Sequence, residues 1–114
     1  MHELSVTEHL LEVTLRHAQQ AGAKSVNNIY LVIGQLSSII DDSVNFYWEI
    51  IAKDTLAQNA LLHFRRISTS LECQKCLTVY TPEGDDLTCP SCHSAQIKII
   101  TGEEFYVEAI DIEK

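Results

Sequence analysis

Cys73-Gln-Lys-Cys76 and Cys89-Pro-Ser-Cys92-His93 are the two segments around which the chain is organised. They contain all four cysteines, as two Cys-x-x-Cys pairs with 12 residues between them. Two residues between thiolates let a tight turn direct both sulfurs at one ion, and two such turns complete a closed tetrahedral Zn²⁺ site. The spacing therefore predicts structural zinc held by Cys73, Cys76, Cys89 and Cys92, with iron in the same sulfur cage or two redox-active dithiols as the alternatives.

The residues between the two pairs predict a hairpin that returns the second pair to the first. Leu77-Thr-Val-Tyr80 is typical of a strand, residues 81–86 of a turn, and Leu87-Thr88 of a second strand. His93 directly follows the last cysteine and could replace a thiolate, although an exposed histidine after a zinc-binding turn is the simpler interpretation.

Composition narrows the class of protein. The chain has 114 residues, 46% of them hydrophobic, which suits one ordinary domain or a domain with a small added module. A net charge of −8 argues against nucleic acid as a partner. No apolar run approaches the roughly 18–20 residues that cross a bilayer. No signal peptide is evident, so we expect a cytoplasmic protein whose thiols stay reduced and bind metal.

Hydrophobic periodicity predicts two helices and three strands outside the cysteine region. One helix covers residues 4–20, starts with a capping box at Ser5-Val-Thr-Glu8, leaves the first three residues before it, and ends at Gly22. A second helix is capped by Asp41, Asp42 or Ser43 and ends at Asn59. Strands are predicted over residues 28–33, 60–68 and 104–112.

The last predicted strand needs partners, and the first two strands are the economical ones. This predicts an α+β fold: two helices packed on a three-stranded sheet, with an inserted zinc-ribbon-like β-hairpin module. The predicted domains are residues 1–69 with 103–114, and residues 70–102 as the zinc-binding module.

His2 is the second residue with specific chemistry. A histidine near a terminus is usually solvated. Here, however, the α-amine of Met1, the His2 backbone nitrogen and the imidazole Nδ1 can form two fused chelate rings. The Glu3 amide or an oxygen would complete a square-planar set that suits Ni²⁺ or Cu²⁺.

The remaining candidates have plainer interpretations. His9 and His17 are expected to face solvent on the first helix, and His63 to be a partly covered sheet residue. Asp41-Asp42 is most simply a helix cap, with metal ligation as the sharper alternative. We find no Ser–His–Asp set, phosphate-binding glycine loop or paired acid/base carboxylates.

The opening Met1-His2-Glu3-Leu4-Ser5, combined with two late Cys-x-x-Cys pairs in a small acidic chain, resembles the HypA/HybF family of nickel metallochaperones. The resemblance covers almost the whole chain: Gly34-Gln35-Leu36-Ser37 is similar to a family segment after the first strand, and Phe46 and Glu49 match the second helix.

The resemblance implies a function in [NiFe]-hydrogenase maturation. It implies that His2 is the essential nickel ligand, assisted by the N-terminal backbone of Met1 and with Glu3 as its neighbour, and that the four cysteines bind structural Zn²⁺. It further implies a non-enzymatic protein that transfers Ni²⁺ together with a HypB-type GTPase and docks on the hydrogenase large subunit. Some family members also serve urease, and homodimers occur in the family.

Two positions depart from the family pattern. Gln35 replaces a glutamate, and Ile40 stands where many members carry a carboxylate, so a nickel contact from Asp41 or Asp42 stays open. Two other functions also remain as hypotheses at this point. One is a zinc-ribbon adaptor for protein assembly without nickel, and the other is a thiol oxidoreductase that uses Cys73 and Cys76.

Overall fold

The computed structural model describes residues 3–114. Its elements follow the order α1 (Glu3–Gln20), β1 (Ser25–Gly34), α2 (Asp41–Ile51), β2 (Leu61–Ile67), β3 (Ser70–Cys73), β4 (Val79–Tyr80), β5 (Ile97–Thr101) and β6 (Phe105–Glu113). The strands form two three-stranded sheets with the orders β2-β1-β6 and β4-β3-β5. Since all strands of the second sheet lie between β2 and β6 in sequence, the predicted α+β fold with an inserted β module is confirmed.

The central strand β1 explains why the first sheet forms where it does. Val26, Ile29, Leu31 and Val32 are each at most 1% exposed. A strand that is buried on both faces reads as a nearly continuous apolar run, which Ile29-Tyr-Leu-Val-Ile33 is. On the neighbouring β2, Leu62 and Phe64 are partly covered and Arg65 is exposed. His63 is exposed too, so the expectation that it is partly covered is wrong, because its side chain lies on the same solvent-facing side of the strand as Arg65.

The helix α1 begins earlier than predicted. Glu3 is already helical, so Ser5 lies inside the first turn and cannot act as the N-cap. Two local effects favour the earlier start. The Glu3 carboxylate lies at the positive end of the helix dipole, and the Thr7 hydroxyl donates to the Glu3 carbonyl. The buried side of the helix is accordingly centred on threonines as well as apolar residues: Thr7, Leu10, Thr14 and Ala18.

The end of α1 matches the prediction. Gly22 has φ +70°, the left-handed conformation that glycine adopts without a Cβ penalty. The Ala23 N–H donates to the Ala18 carbonyl and the Gly22 N–H to the Gln19 carbonyl, at 3.0 and 3.1 Å. These two bonds form a Schellman motif, which satisfies carbonyls that the helix end would leave unpaired.

The helix α2 departs from the prediction at both ends. Its N-cap is Ile40, and Asp41 and Asp42 occupy the first turn, where carboxylates are stabilised by the dipole without capping it. The helix stops at Ile51 instead of Asn59 because Asp54 adopts φ +65° and the Thr55 hydroxyl donates back to the Ala52 carbonyl. α2 packs against α1, with Val44 and Trp48 buried.

The second sheet is built differently from the predicted hairpin. β3 is its centre: Leu71 pairs with Tyr80 of β4 on one side and with Ile99 of β5 on the other, both antiparallel. Leu87-Thr88 is not a strand, because the Tyr80 hydroxyl donates to the Leu87 carbonyl and the Thr88 N–H to the Asp86 carboxylate. Side chains thus take the hydrogen bonds that a second hairpin strand would have used.

The chain divides into two compact units. One, the α/β unit, contains the residues up to Val32, Ser38–Arg65 and Tyr106–Lys114. The other, the ribbon unit, contains Ile33–Ser37 and Arg66–Phe105. The assignment of nickel binding to residues 1–69 with 103–114, and of zinc binding to residues 70–102, stays a prediction about function.

Candidate metal centre

The four cysteines of the ribbon unit converge on one point. Their sulfurs all lie within 4.8 Å of one another, and the Cys73–Cys92 and Cys76–Cys89 sulfur pairs are each 3.5 Å apart. A tetrahedral zinc ion with Zn–S bonds of about 2.3 Å requires sulfur separations of about 3.8 Å. The side chains are therefore already arranged as the corners of a site that fits a Zn²⁺ ion.

The same backbone turn positions each pair of cysteines. In the first turn, the Cys73 N–H donates to the Thr78 carbonyl and the Leu77 N–H to the Cys73 carbonyl, both at 2.9 Å. In the second, the Cys89 N–H donates to the Ser94 carbonyl at 3.0 Å and the His93 N–H to the Cys89 carbonyl at 2.8 Å. The residue after each second cysteine has a left-handed backbone, with φ +65° at Leu77 and +62° at His93.

Burial divides the four thiols into two kinds. Cys73 and Cys89, the first cysteine of each pair, are buried, whereas Cys76 and Cys92 are exposed. The buried sulfurs anchor the site in the core of the ribbon unit. The exposed sulfurs close it from the solvent side.

Hydrogen bonds to the sulfurs favour thiolates at the first pair. The Thr78 hydroxyl and backbone lower the pKa of Cys76 to about 6, and the Cys76 backbone N–H lowers the pKa of Cys73. At Cys92 the Ser94 backbone also lowers the pKa, but the contacts with the other three sulfurs and the partial desolvation of the Cys92 sulfur outweigh it, and the pKa is raised to about 12. Four thiolates this close repel one another, so full ionisation of the set requires a cation.

His93 does not join the sulfur cluster. Among residues 3–114, the converging metal-ligand group consists of the four cysteines. His93 instead lines a cavity of about 450 Å³ together with Tyr80, Glu83 and Asp86. The alternative in which its imidazole replaces a thiolate is not the arrangement seen here.

The predicted nickel ligands lie elsewhere. Met1 and His2 lie outside the described residues, and Glu3 is the first residue of α1. Asp41 and Asp42 occupy the first turn of α2. Within residues 3–114 no second group of three or more His, Cys, Asp or Glu side chains comes close enough to hold an ion.

Gln35, which departs from the family pattern, makes hydrogen bonds within the ribbon unit through both its side chain and its backbone. The side-chain oxygen of Gln35 accepts a hydrogen bond from the Thr69 backbone N–H at 3.4 Å, and the Gln35 backbone N–H donates to the Ile67 carbonyl at 2.9 Å. A glutamate could accept the same bond from Thr69. The exchange therefore preserves the local hydrogen bonding while removing a negative charge.

Sequence reasoning missed two sets of residues. Thr78 and Ser94 stand two positions after the second cysteine of each pair, and this repetition was a usable signal for groups that tune the sulfurs. The second set links three strands. The Tyr30 hydroxyl donates to Asp111 at 2.7 Å, and the Tyr30 ring stacks on His63 at 4.9 Å. No sequence pattern indicated that these strands would align in this register.

Comparison with known proteins gives a consistent result over the whole chain. The family model described as "Hydrogenase/urease nickel incorporation, metallochaperone, hypA" matches residues 1–112. Hydrogenase maturation factor HypA of Dehalococcoides mccartyi strain 195 is 37% identical over 113 residues, covering 99% of this chain and 95% of that protein. Hydrogenase maturation factor HybF of Escherichia coli K12 is 34% identical over 113 residues, covering 99% of this chain and all of HybF.

Solved structures agree with the sequence relatives. The solution structure of the Ni metallochaperone HypA from Helicobacter pylori superposes with a TM-score of 0.73 at 26% identity, covering 99% of this chain and 98% of that one. A second solution structure of a HypA protein gives a TM-score of 0.75 at 25% identity, covering 98% and 96% of the two chains. In the part of the chain that the structure describes, neither helix is long and apolar enough to span a membrane.

Proposed function

The chain belongs to the HypA family of nickel-incorporation metallochaperones, and from this we propose that it binds Ni²⁺ through His2 and delivers it for maturation of [NiFe]-hydrogenase. The observation that carries the proposal is the family match over residues 1–112 in a chain that opens with Met1-His2-Glu3. Family members of this kind are maturation factors, and we propose no catalytic residue.

The start of α1 supports a backbone contribution to the nickel site. The first N–H groups of a helix have no carbonyl partner within it, so the Glu3 amide is not committed to the α1 hydrogen bonds. The Glu3 amide nitrogen would complete a four-nitrogen set with the Met1 amine, the His2 backbone nitrogen and the His2 imidazole. Nitrogen donors in a plane suit Ni²⁺ and Cu²⁺.

We assign the second metal to the four cysteines as structural Zn²⁺. The sulfur spacing and the two equivalent turns support this assignment. Four thiolates leave no open position for water or substrate, so this ion serves the fold of the ribbon unit and not catalysis. The two metals would then have separate roles, one resident and one carried.

Partners follow from the transfer of nickel. We propose that a HypB-type GTPase exchanges Ni²⁺ with this chain, that the hydrogenase large subunit receives it, and that the exchange takes place in the cytoplasm. The family description also names urease, so a urease apoenzyme is a second acceptor to test. A homodimer is a further expectation, which light scattering of the purified protein would test.

Nickel titration by calorimetry tests the proposal. The untagged chain should bind about one Ni²⁺, with affinity that falls at acid pH as the amine and imidazole protonate. His2→Ala, or one extra residue before Met1, should abolish this binding while zinc content stays unchanged. His9→Ala is the matched control, since His9 is an exposed histidine on α1. A His2→Ala protein that titrates like the unaltered chain would overturn the proposal.

A further inference from the structure

Two large apolar side chains stand uncovered on α2. Phe46 is 60% exposed and Ile50 is 58% exposed, whereas Val44 and Trp48 on the same helix are at most 3% exposed. Successive helix residues are about 100° apart, so Phe46 lies about 160° around the axis from both buried residues. Phe46 therefore points directly away from the core of the α/β unit, and Ile50, four residues on, lies beside it.

Carboxylates border this apolar pair. Asp42, four residues before Phe46, and Glu49, three residues after it, are both exposed and lie on the same side of the helix. We call Asp42, Phe46, Glu49 and Ile50 the docking stripe. It combines an apolar centre with a negative border, and no Lys or Arg lies within α2.

The charge of the chain indicates what can cover the docking stripe. A second copy would bring the same two carboxylates and a net charge of −8 toward a surface of like sign. Like charges brought together at an interface are costly. A complementary occupant has an apolar groove for Phe46 and Ile50 and a border of Lys and Arg facing Asp42 and Glu49.

The docking stripe also has the properties of a small binding hot spot. The Phe46 ring sits against Tyr47 in an edge-to-face contact, with centroids 5.3 Å apart and an interplanar angle of 71°. A ring restrained in this way loses little freedom on binding, and aromatic anchors dominate many interfaces. Four side chains are far fewer than the roughly 20–30 residues a side of a stable interface, which suits a partner that must dissociate after transfer.

We propose that the docking stripe is the site where a basic-bordered apolar groove of the nickel-exchanging GTPase binds. The inference rests on the proposed function, because that function requires such a partner. α2 packs against α1, and the first residue of α1, Glu3, directly follows His2 in sequence. A partner bound to α2 therefore contacts one of the two packed helices, and the other helix, α1, directly follows the proposed nickel ligand in sequence.

Equilibrium binding to the HypB-type GTPase of the same organism tests the inference, with the fluorescently labelled full-length chain and anisotropy as the readout. Phe46→Ala with Ile50→Ala should weaken binding by at least about tenfold. Glu49→Lys should weaken it as well, and raised salt should weaken binding of the unaltered chain. Ile100→Ala is the matched control: Ile100 is 48% exposed but lies on β5 of the ribbon unit, and its variant should bind within twofold of the unaltered chain.

Several results would overturn the docking stripe. The first is unchanged GTPase binding by the Phe46→Ala, Ile50→Ala protein, and the second is GTPase binding that does not change with salt concentration. The third is an unaltered chain that does not bind the GTPase. The fourth is an unaltered chain that light scattering shows to be a dimer, if the Phe46→Ala, Ile50→Ala protein is a monomer. Thermal unfolding should be unchanged, because both side chains are exposed. Nickel titration separates the two proposals: unchanged GTPase binding by the Phe46→Ala, Ile50→Ala protein, with nickel binding intact, counts against the docking stripe alone, and an unchanged His2→Ala titration counts against the proposed function alone.

Discussion

Cys76 and Cys92 are both exposed, yet the surroundings of their sulfurs favour opposite protonation states. The pKa of Cys76 is lowered to about 6 by hydrogen bonds from Thr78, whereas that of Cys92 is raised to about 12. A lowered pKa favours the thiolate, so this contribution to metal binding is present at neutral pH and is lost as the pH falls through about 6. Cys76 is thus the exposed sulfur that keeps its thiolate to the lower pH and that reacts first with an electrophile.

Limited alkylation checks this order. In a short pulse of iodoacetamide applied as a chelator removes zinc, before the ribbon unit unfolds, peptide mapping should find Cys76 modified before Cys92 and before the buried Cys73 and Cys89. The rate at Cys76 should rise with pH around a midpoint near 6. Thr78→Val, which removes the hydroxyl next to the Cys76 sulfur, should shift that midpoint upward. Equal modification of all four cysteines would contradict the assignment.

Gly34 is a position where any side chain would clash with the backbone of Gly102. A Cβ placed on Gly34 would lie 2.0 Å from both the C and O atoms of Gly102, which has no flexible side chain to move aside. Backbone must therefore shift, and Gly34→Ala should lower the free energy of unfolding by about 3–5 kcal/mol, in the range of the most damaging single substitutions. Gly84→Ala is the control, since Gly84 has nothing within 4 Å, and only its φ of +59° adds a cost of about 1–2 kcal/mol. Urea denaturation should rank the two variants in this order; equal midpoints would show that the contact relaxes freely.

At the scale of elements, the strands β1 and β6 are joined on the face that carries Tyr30. The Tyr30 hydroxyl donates to Asp111, and this hydrogen bond, followed by desolvation and the negative charge, raises the pKa of Tyr30. Asp111→Ala should return that pKa toward its ordinary value, as measured from the Tyr30 ring carbon shift by NMR. Glu108→Ala is the control on the same strand, because Glu108 pairs with Arg65 instead. If the Tyr30 pKa stays raised in Asp111→Ala, the strands do not align as described.

The same elements show what sequence could and could not predict. The helix α1, its end at Gly22 and the strand β1 follow from local patterns, because periodicity and a left-handed glycine act within a few residues. The return of β6 to the first sheet was predicted because a lone strand needs partners. The early stop of α2 and the loss of a strand at Leu87-Thr88 depend on single side-chain hydrogen bonds, which Thr55 and Tyr80 donate and Asp86 accepts. Each such bond contributes about 1 kcal/mol and competes with the backbone hydrogen bonds of a helix or strand. Hydrophobic periodicity does not reveal a contribution of this size.

For the candidate metal centre, the spacing alone was sufficient to predict that the four sulfurs converge, since two Cys-x-x-Cys turns at this separation are typical of a metal site. The polar groups that tune the sulfurs were missed because their effect depends on the atomic geometry of the turns. The proposed nickel ligand His2 rests on a resemblance and on chelate chemistry, and its assignment stays a prediction.

At the scale of the whole molecule, the ribbon unit has a small core of its own. Ile33, Leu71, Cys73 and Cys89 are fully buried there, and two of the four are proposed zinc ligands. A unit of this size buries too little apolar surface to be stable without a metal or a similar staple, and metal binding supplies folding free energy in such cases. The ribbon unit should therefore depend on zinc in a way that the α/β unit, with its buried β1 and helix pair, does not.

Hydrogen exchange with and without a strong chelator tests this difference. Removal of zinc should abolish amide protection across Arg66–Phe105, while amides of β1 from Val26 to Val32 and of α1 should stay protected. Addition of Zn²⁺ should restore the lost protection, and Cys89→Ser should reproduce the loss without chelator. Nickel titration of the zinc-free protein then completes the argument: binding of about one Ni²⁺ that still requires His2 would place the carried metal and the resident metal on separately folding parts of the chain. Protection across residues 66–105 that survives chelation would show that the four cysteines do not hold the ion on which this unit depends.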